Sequence, residues 1–282
     1  ELAKWGVQCE FFDAQNPADL AARITPKTRL VWLEAPGSVT LEFPDLPALT
    51  QVVAKANEGR AALGTGRSII TALDNTWGAG VAFNPFDLGV DVSMQALTKY
   101  PSGGGDVLMG SVVTRSAELH HDMLMTHMRL GLAVGANDVE LVLRGLPSMA
   151  LRYAHQDAST RALVHWASAR DEFDMVFHPA LPNSPGHAAW KRDCYGAACL
   201  FSVVFKSQFT TAQVDNFCDA LQLFQLGYSW AGPISLVVPY GQSACKHRAW
   251  PYEGSVVRFA VGLEGVADLQ ADIEQALMAI AV

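Results

Sequence analysis

Short apolar runs alternate along this chain with longer stretches in which apolar residues recur every third or fourth position. These are the period-2 and period-3.6 signatures of strands and helices. Leu30-Val31-Trp32-Leu33-Glu34 predicts a strand. Residues 44–57 predict a helix, with Asp45 and Pro47 near its start. Residues 68–73 predict the next strand, residues 91–97 another after the Pro85–Gly89 turn, and residues 107–114 a further one. The polar, glycine-containing stretch 57–67 lacks the spacings of a phosphate-cradling loop and is expected to be a surface loop. Strand–helix alternation with apolar strands predicts a mostly parallel, helix-covered sheet.

The texture changes in the second half. Residues 137–170 read as long and helical, broken once at Gly145-Leu146-Pro147. His178 and His187 fall in a proline-rich loop. Beyond them, residues 199–206 and 256–261 are strand-like, and 212–223 and 268–280 helical. A smaller α+β unit is expected there, dividing the chain into 1–145 and 146–282.

Composition narrows the classes. Across 282 residues half are hydrophobic and 17% charged, which fits a buried α/β core rather than disorder. A net charge of −8 with no basic run argues against a nucleic-acid partner. No apolar run approaches the roughly 20 residues needed to span a membrane. Cys9, Cys194, Cys199, Cys218 and Cys245 form no C-x-x-C pair, which predicts a reduced, cytoplasmic protein with no metal site. Trp32, Trp166, Trp190 and Trp250 read as core or interface aromatics, and Arg129, Arg144 and Arg152 as structural or surface charges.

Two polar residues stand at or just beyond the ends of predicted strands. Asp74 follows Ile70-Thr71-Ala72-Leu73, and Lys99 follows Gln95-Ala96-Leu97-Thr98. Ligands of α/β sheets bind at such carboxyl ends. A lysine that forms a Schiff base, with a carboxylate that keeps a pyridine nitrogen protonated, is what pyridoxal phosphate (PLP) chemistry needs. A solvated lysine and a turn-forming aspartate are the competing readings.

The surrounding words resemble a known family. Asp74-Asn75-Thr76-Trp77, then Asp91 through Tyr100, then Gly104-Gly105-Asp106-Val107-Leu108-Met109-Gly110 have the order and spacing of the Cys/Met-metabolism family of PLP-dependent enzymes. The resemblance runs from about Gly6 to about Leu277. It implies an α/β, aspartate-aminotransferase-like (fold type I) large domain followed by a smaller C-terminal domain. It also implies that Lys99 is the catalytic and Schiff-base lysine, that Asp74 pairs with the pyridinium, and that Thr98 donates to the cofactor phosphate. Many relatives carry a second hydroxyl where this chain has Ala96. Arg258, in the apolar run Val256-Val257-Arg258-Phe259-Ala260-Val261, needs an anion, because a buried unpaired arginine is very unfavourable. The resemblance makes that anion the substrate α-carboxylate; a structural salt bridge is the alternative. Tyr228, Ser229 and Trp230 resemble the segment that closes over the substrate, with Ala231 where Trp-Gly-Gly is common. Glu34-Ala35-Pro36-Gly37-Ser38 resembles a segment near the cofactor.

Within the family, Tyr228-Ser229-Trp230 and Arg258 through Glu264 point to β-elimination of L-cystathionine, giving homocysteine, pyruvate and ammonia. The alternatives are γ-elimination or γ-replacement, where relatives usually carry a smaller residue than Trp230, and an inactive fragment serving as an oligomer scaffold. Family members carry a longer segment before the point where this chain opens, including a helix N-terminus for the cofactor phosphate. The chain is therefore expected to be a fragment that holds PLP poorly, with Lys99 and Asp74 facing each other as an ion pair. The expected partners are a small amino-acid substrate and other copies of the chain, as a homotetramer built from dimers in the full-length protein.

Overall fold

The computed structural model describes residues 2–64, 67–241 and 251–280. Helix α1 (Pro17–Arg23) starts where the Asn16 side chain accepts from the Ala18 amide, with proline at the first position where no N–H is needed. Strand β1 (Leu30–Glu34) turns Val31 and Leu33 inward. Helix α2 (Leu46–Ala62) is capped by Asp45, whose carboxylate accepts from the Ala48 amide at 3.1 Å, and buries Leu46, Leu49 and Val53. It runs further than expected. Residues 57–62 close its last turns rather than forming a loop, and Asn57 exchanges two hydrogen bonds with the backbone of Ile69.

Strands β2 (Ile70–Asp74) and β3 (Val92–Ala96) add to β1 in parallel, in the order β1-β2-β3. Strand β4 (Gly110–Thr114) then closes the sheet antiparallel to β3. Glu34 lies opposite Asp74 and Asp74 opposite Met94, so the carboxyl ends of the three parallel strands form one edge. Lys99 lies just past that edge, in a turn closed by Lys99 N–H to Ala96 O, Ser102 N–H to Leu97 O and Gly103 N–H to Lys99 O.

Helices α3 (Ala117–Leu130) and α4 (Ala136–Gly145) lead through a short 3-10 turn at Leu146–Ser148 into α5 (Met149–Ala167). The expected interruption at Gly145-Leu146-Pro147 is therefore present. Arg152 has a structural role, donating to the carbonyls of Tyr100 and Gly145, whereas Arg144 forms an exposed pair with Glu140.

The second sheet has the order β5-β6-β9-β8-β7, from β5 (Phe173–Phe177), β6 (Leu200–Phe205), β7 (Gln225–Leu226), β8 (Leu236–Tyr240) and β9 (Val256–Ala260). Its pairings are antiparallel except β7–β8. Helices α6 (His187–Asp193), α7 (Thr211–Ala220) and α8 (Val266–Met278) complete it. His187 opens α6 rather than lying in a loop, and His178 is fully buried, its ring accepting from the Ala180 amide. Trp190 is buried, Trp32 half exposed, and Trp250 lies outside the described residues.

One apolar core joins the two sheets, with Leu33, Phe43 and Phe83 continuous with Phe201, Phe205 and Phe259. Backbone contacts reinforce the join. Phe43 N–H donates to Pro185 O, Tyr195 N–H to Ala82 O, and the Ser202 hydroxyl to Val39 O. Among the described residues no helix is long and apolar enough to cross a membrane.

Candidate active site

The cleft between the sheets collects polar groups from both. Lys99 projects its amine against the second half of the chain. Nζ lies 2.8 Å from Ser229 Oγ and 5.1 Å from the centre of the Trp230 ring. Burial lowers its pKa from the ordinary lysine value, and the nearby Arg258 cation lowers it further. A less basic amine is a better nucleophile and base at neutral pH. Tyr100, next in sequence, is fully buried, 4.6 Å from the Tyr153 ring and 6.0 Å from Trp230 between ring centres. Tyr100 thus packs against both Tyr153 and Trp230.

The Trp230 turn is pinned from two sides. Gln156 on α5 donates to the carbonyls of Gly232 and Val261, and Ala231 adopts a left-handed φ of 62°. The alanine that replaces the more usual glycine therefore sits where a Cβ is disfavoured, by roughly 1 kcal/mol. The turn is held by its neighbours rather than by local preference.

Arg258 reaches the cleft from β9, where every residue is buried and Arg258 itself is only 4% exposed. Its Nη1 donates to Ser38 O at 3.2 Å and Nη2 to Tyr228 O at 2.7 Å, while Nε is buried without a partner. Burial lowers its pKa from the usual arginine value. Among the described residues no carboxylate pairs with it. Carbonyl dipoles alone compensate a buried charge poorly, so the guanidinium is set for an anion. The structural salt bridge offered as an alternative for Arg258 does not form among these residues. Ser38 meets the site through its backbone.

At the carboxyl end of β2 the Asp74 carboxylate accepts from both the amide and the hydroxyl of Thr76. The expected ion pair between Asp74 and Lys99 is absent. Lys99 binds Ser229 instead, because the turn after β3 carries its amine toward the second sheet. Glu34 lies in register beside Asp74, and although part of it remains accessible, desolvation first and Asp74 second raise its pKa. Neither carboxylate is paired with a basic side chain among the described residues. Thr98 precedes Lys99, its carbonyl accepting from Ser102 Oγ at 3.1 Å.

Of the residues singled out in the sequence, Lys99, Ser229, Trp230, Tyr228 and Arg258 meet at one place, with Asp74 at the neighbouring strand end. Sequence reasoning missed Tyr240, whose ring lies 5.4 Å from the Arg258 guanidinium carbon, and Glu34 as a partner of Asp74. The β-forming run Leu236-Val237-Val238-Pro239-Tyr240 could have placed Tyr240 on a strand.

The set suits an aldehyde cofactor with a basic ring nitrogen. The Lys99 amine has lowered basicity and hydrogen-bonds Ser229. Asp74 and Glu34 lie side by side without a basic partner among the described residues, and no bond joins the amine to either carboxylate. A cationic nitrogen near Asp74 would relieve the like-charge contact with Glu34.

Comparison with known proteins agrees. The family model described as Cys/Met metabolism PLP-dependent enzyme matches residues 1–278. A cystathionine beta-lyase of Bordetella avium is 39% identical over 279 residues, covering 98% of this chain and 66% of that protein. Cystathionine beta-lyase MetC of Escherichia coli K12 is 35% identical over 281 residues, 97% of this chain and 68% of that one. The crystal structure of a cystathionine gamma-lyase from Micromonospora echinospora superposes with a TM-score of 0.86 at 30% identity, covering 98% of this chain and 71% of the other. This chain thus spans about two thirds of the length of such relatives. With a family match across almost its whole length and relatives at more than a third identity, the chain belongs to the Cys/Met-metabolism family of PLP-dependent enzymes.

Proposed function

We propose that this chain carries the centre of a PLP-dependent carbon–sulfur lyase that cleaves L-cystathionine by β-elimination to homocysteine, pyruvate and ammonia. The observation that supports it best is Lys99, a half-buried amine of lowered basicity held under Trp230 and Ser229, close to an unpaired buried arginine. Bound at Lys99, PLP supplies an electron sink for the pair released when the substrate Cα–H bond breaks.

The chain's own residues would do the rest. Arg258 holds the α-carboxylate with the N–H groups of Nη1 and Nη2 left free by Ser38 and Tyr228, which fixes the Cα hydrogen relative to Lys99. Lys99 Nζ takes that proton, and Ser229 Oγ, 2.8 Å away, keeps the amine in place between transfers. Trp230, backed by the Tyr100 ring, shields the amine from water, which keeps it a base. Asp74, with Thr76 donating to it twice, holds negative charge at the carboxyl end of β2. The Cβ–S bond breaks as the Cα–Cβ double bond forms, sulfur leaving as homocysteine thiolate, a competent leaving group for a thiol of pKa about 8.5. The released aminoacrylate adds water to give pyruvate and ammonia.

Two measurements test this reading. Borohydride reduction of the holoenzyme followed by peptide mapping is expected to label Lys99, and a label on another lysine would overturn its role. Incubation with cystathionine is expected to yield pyruvate. Formation of 2-oxobutyrate would instead assign γ-elimination, and loss of both products with no visible cofactor band would assign a scaffold.

The division at 145/146 belongs to the same proposal, since the short turn at Leu146–Ser148 separates the two sheets in sequence. So does self-association, argued below. Cytoplasmic residence is supported by Cys9, Cys194, Cys199 and Cys218, none of them in a disulfide.

A further inference from the structure

Strand register brings an aromatic ring to Arg258 that its own strand does not supply. On β8 and β9, Val238 lies opposite Arg258 and Tyr240 opposite Val256. Residues two apart on a strand share a face, so Tyr240 is the diagonal neighbour of Arg258, within reach of a long side chain. The ring centre lies 5.4 Å from the guanidinium carbon. Tyr228 then meets the Tyr240 ring edge-on at 6.2 Å, while its own carbonyl accepts from Arg258 Nη2 at 2.7 Å. Tyr228 thus steadies both members of the pair.

We propose that Tyr240 is a positioning residue for carboxylate recognition, its ring holding the Arg258 guanidinium in the orientation that accepts an amino-acid α-carboxylate. Three observations carry the proposal. Among the described residues Arg258 has no carboxylate partner, so its orientation is otherwise fixed by only two carbonyl bonds, one of them long at 3.2 Å. A ring face attracts a guanidinium most where water is excluded, and Arg258 is almost fully buried. Unlike a carboxylate, a neutral ring leaves the positive charge available to the substrate. Burial raises the Tyr240 pKa, so the phenol stays neutral through ordinary pH even though the Arg258 cation pulls the other way.

The inference rests on the proposed function, in which Arg258 binds the substrate carboxylate, and the test separates the two. In the holoenzyme, glycine and glycinamide are titrated against the visible cofactor band in Tyr240→Trp, Tyr240→Phe and Tyr240→Leu, with Arg258→Lys as control. Glycinamide presents the amine without the carboxylate. Tyr240→Leu is expected to weaken glycine by about five- to thirtyfold, with glycinamide unchanged. Tyr240→Phe should recover most of the affinity and Tyr240→Trp all of it. Equal glycine affinity in Tyr240→Leu and the native enzyme would overturn the proposal, as would equal weakening of glycine and glycinamide. Should Tyr240→Leu fail to fold, Tyr240→Met, of similar bulk without a ring, takes its place, and unchanged glycine affinity in it would overturn the proposal. If Arg258→Lys leaves the preference for glycine over glycinamide intact, the carboxylate role of Arg258 fails instead.

Discussion

Lys99 and Arg258 are two cations in one cleft, and neither has a carboxylate partner among the described residues. The arrangement costs stability through desolvation and mutual repulsion, and each lowers the basicity of Lys99. Trp230 pulls in two directions. Its ring attracts the ammonium form, but its bulk also removes water, and desolvation is the largest influence on Lys99. Trp230→Ala is therefore expected to move the pH midpoint for acylation of Lys99 in the cofactor-free protein upward; a downward movement would mean that ring attraction dominates. At Arg258, replacement by lysine keeps the charge but loses the planar fork. A fall in kcat/KM of at least about tenfold is expected for Arg258→Lys, since a charged hydrogen bond contributes roughly 1.5–3 kcal/mol, with the cofactor spectrum unchanged.

At the scale of elements, the second sheet depends on a carboxylate that takes no part in the site. Asp272 on α8 is 5% exposed and accepts from the backbone amides of Gln222 and Leu223 at 2.8 Å and of Phe224 at 3.1 Å. It thereby satisfies the chain where α7 ends and turns toward β7. Asp272→Ala would leave three amides without that acceptor and is expected to destabilise the fold by at least about 3 kcal/mol, read from chemical denaturation. Asp272→Asn should cost less, since it keeps one acceptor oxygen. The sequence announced α8, β9 and the parallel strands β1 to β3, because each is a dense apolar run with one periodicity. Elements α1, α3, β5 and β8 went unassigned, although the run at β8 is β-forming. Strand β8 is interrupted by Pro239, and α3 buries no residue, so its pattern has no core to answer to. At the site, Lys99, Asp74 and Arg258 stand out as charged residues in or beside apolar strands, but it is the resemblance of the surrounding words that gives them their proposed roles. Tyr240 and Glu34 were not, because their importance lies in cross-strand register, which a linear pattern does not contain.

The whole molecule keeps a large apolar surface uncovered. Leu124, Met128 and Leu130 on or at the end of α3, with Leu132, Val134, Leu141 and Leu143 following, are all exposed. Exposed apolar side chains in such number along two successive helices suit an interaction site. We infer that copies of the chain associate through it. Leu124 and Met128 are one helical turn apart on the same face. Replacing both with glutamate is expected to lower the mass found by sedimentation while leaving the circular dichroism spectrum intact; an unchanged mass would exclude α3 from the contact. The cleft itself has a consequence of another kind. Lys99 lies in the turn that follows the first sheet, whereas Arg258 comes from a strand of the second sheet and Ser229 and Trp230 from the turn between β7 and β8. Parting the two halves would rehydrate the amine and return it toward its ordinary value of 10.5. In the window between that value and the lowered one, opening takes up a proton and closing releases it, so the closed form gains as pH rises and loses as it falls. One amine would thus register any parting of the halves, alkali favouring the closed form and acid the open one.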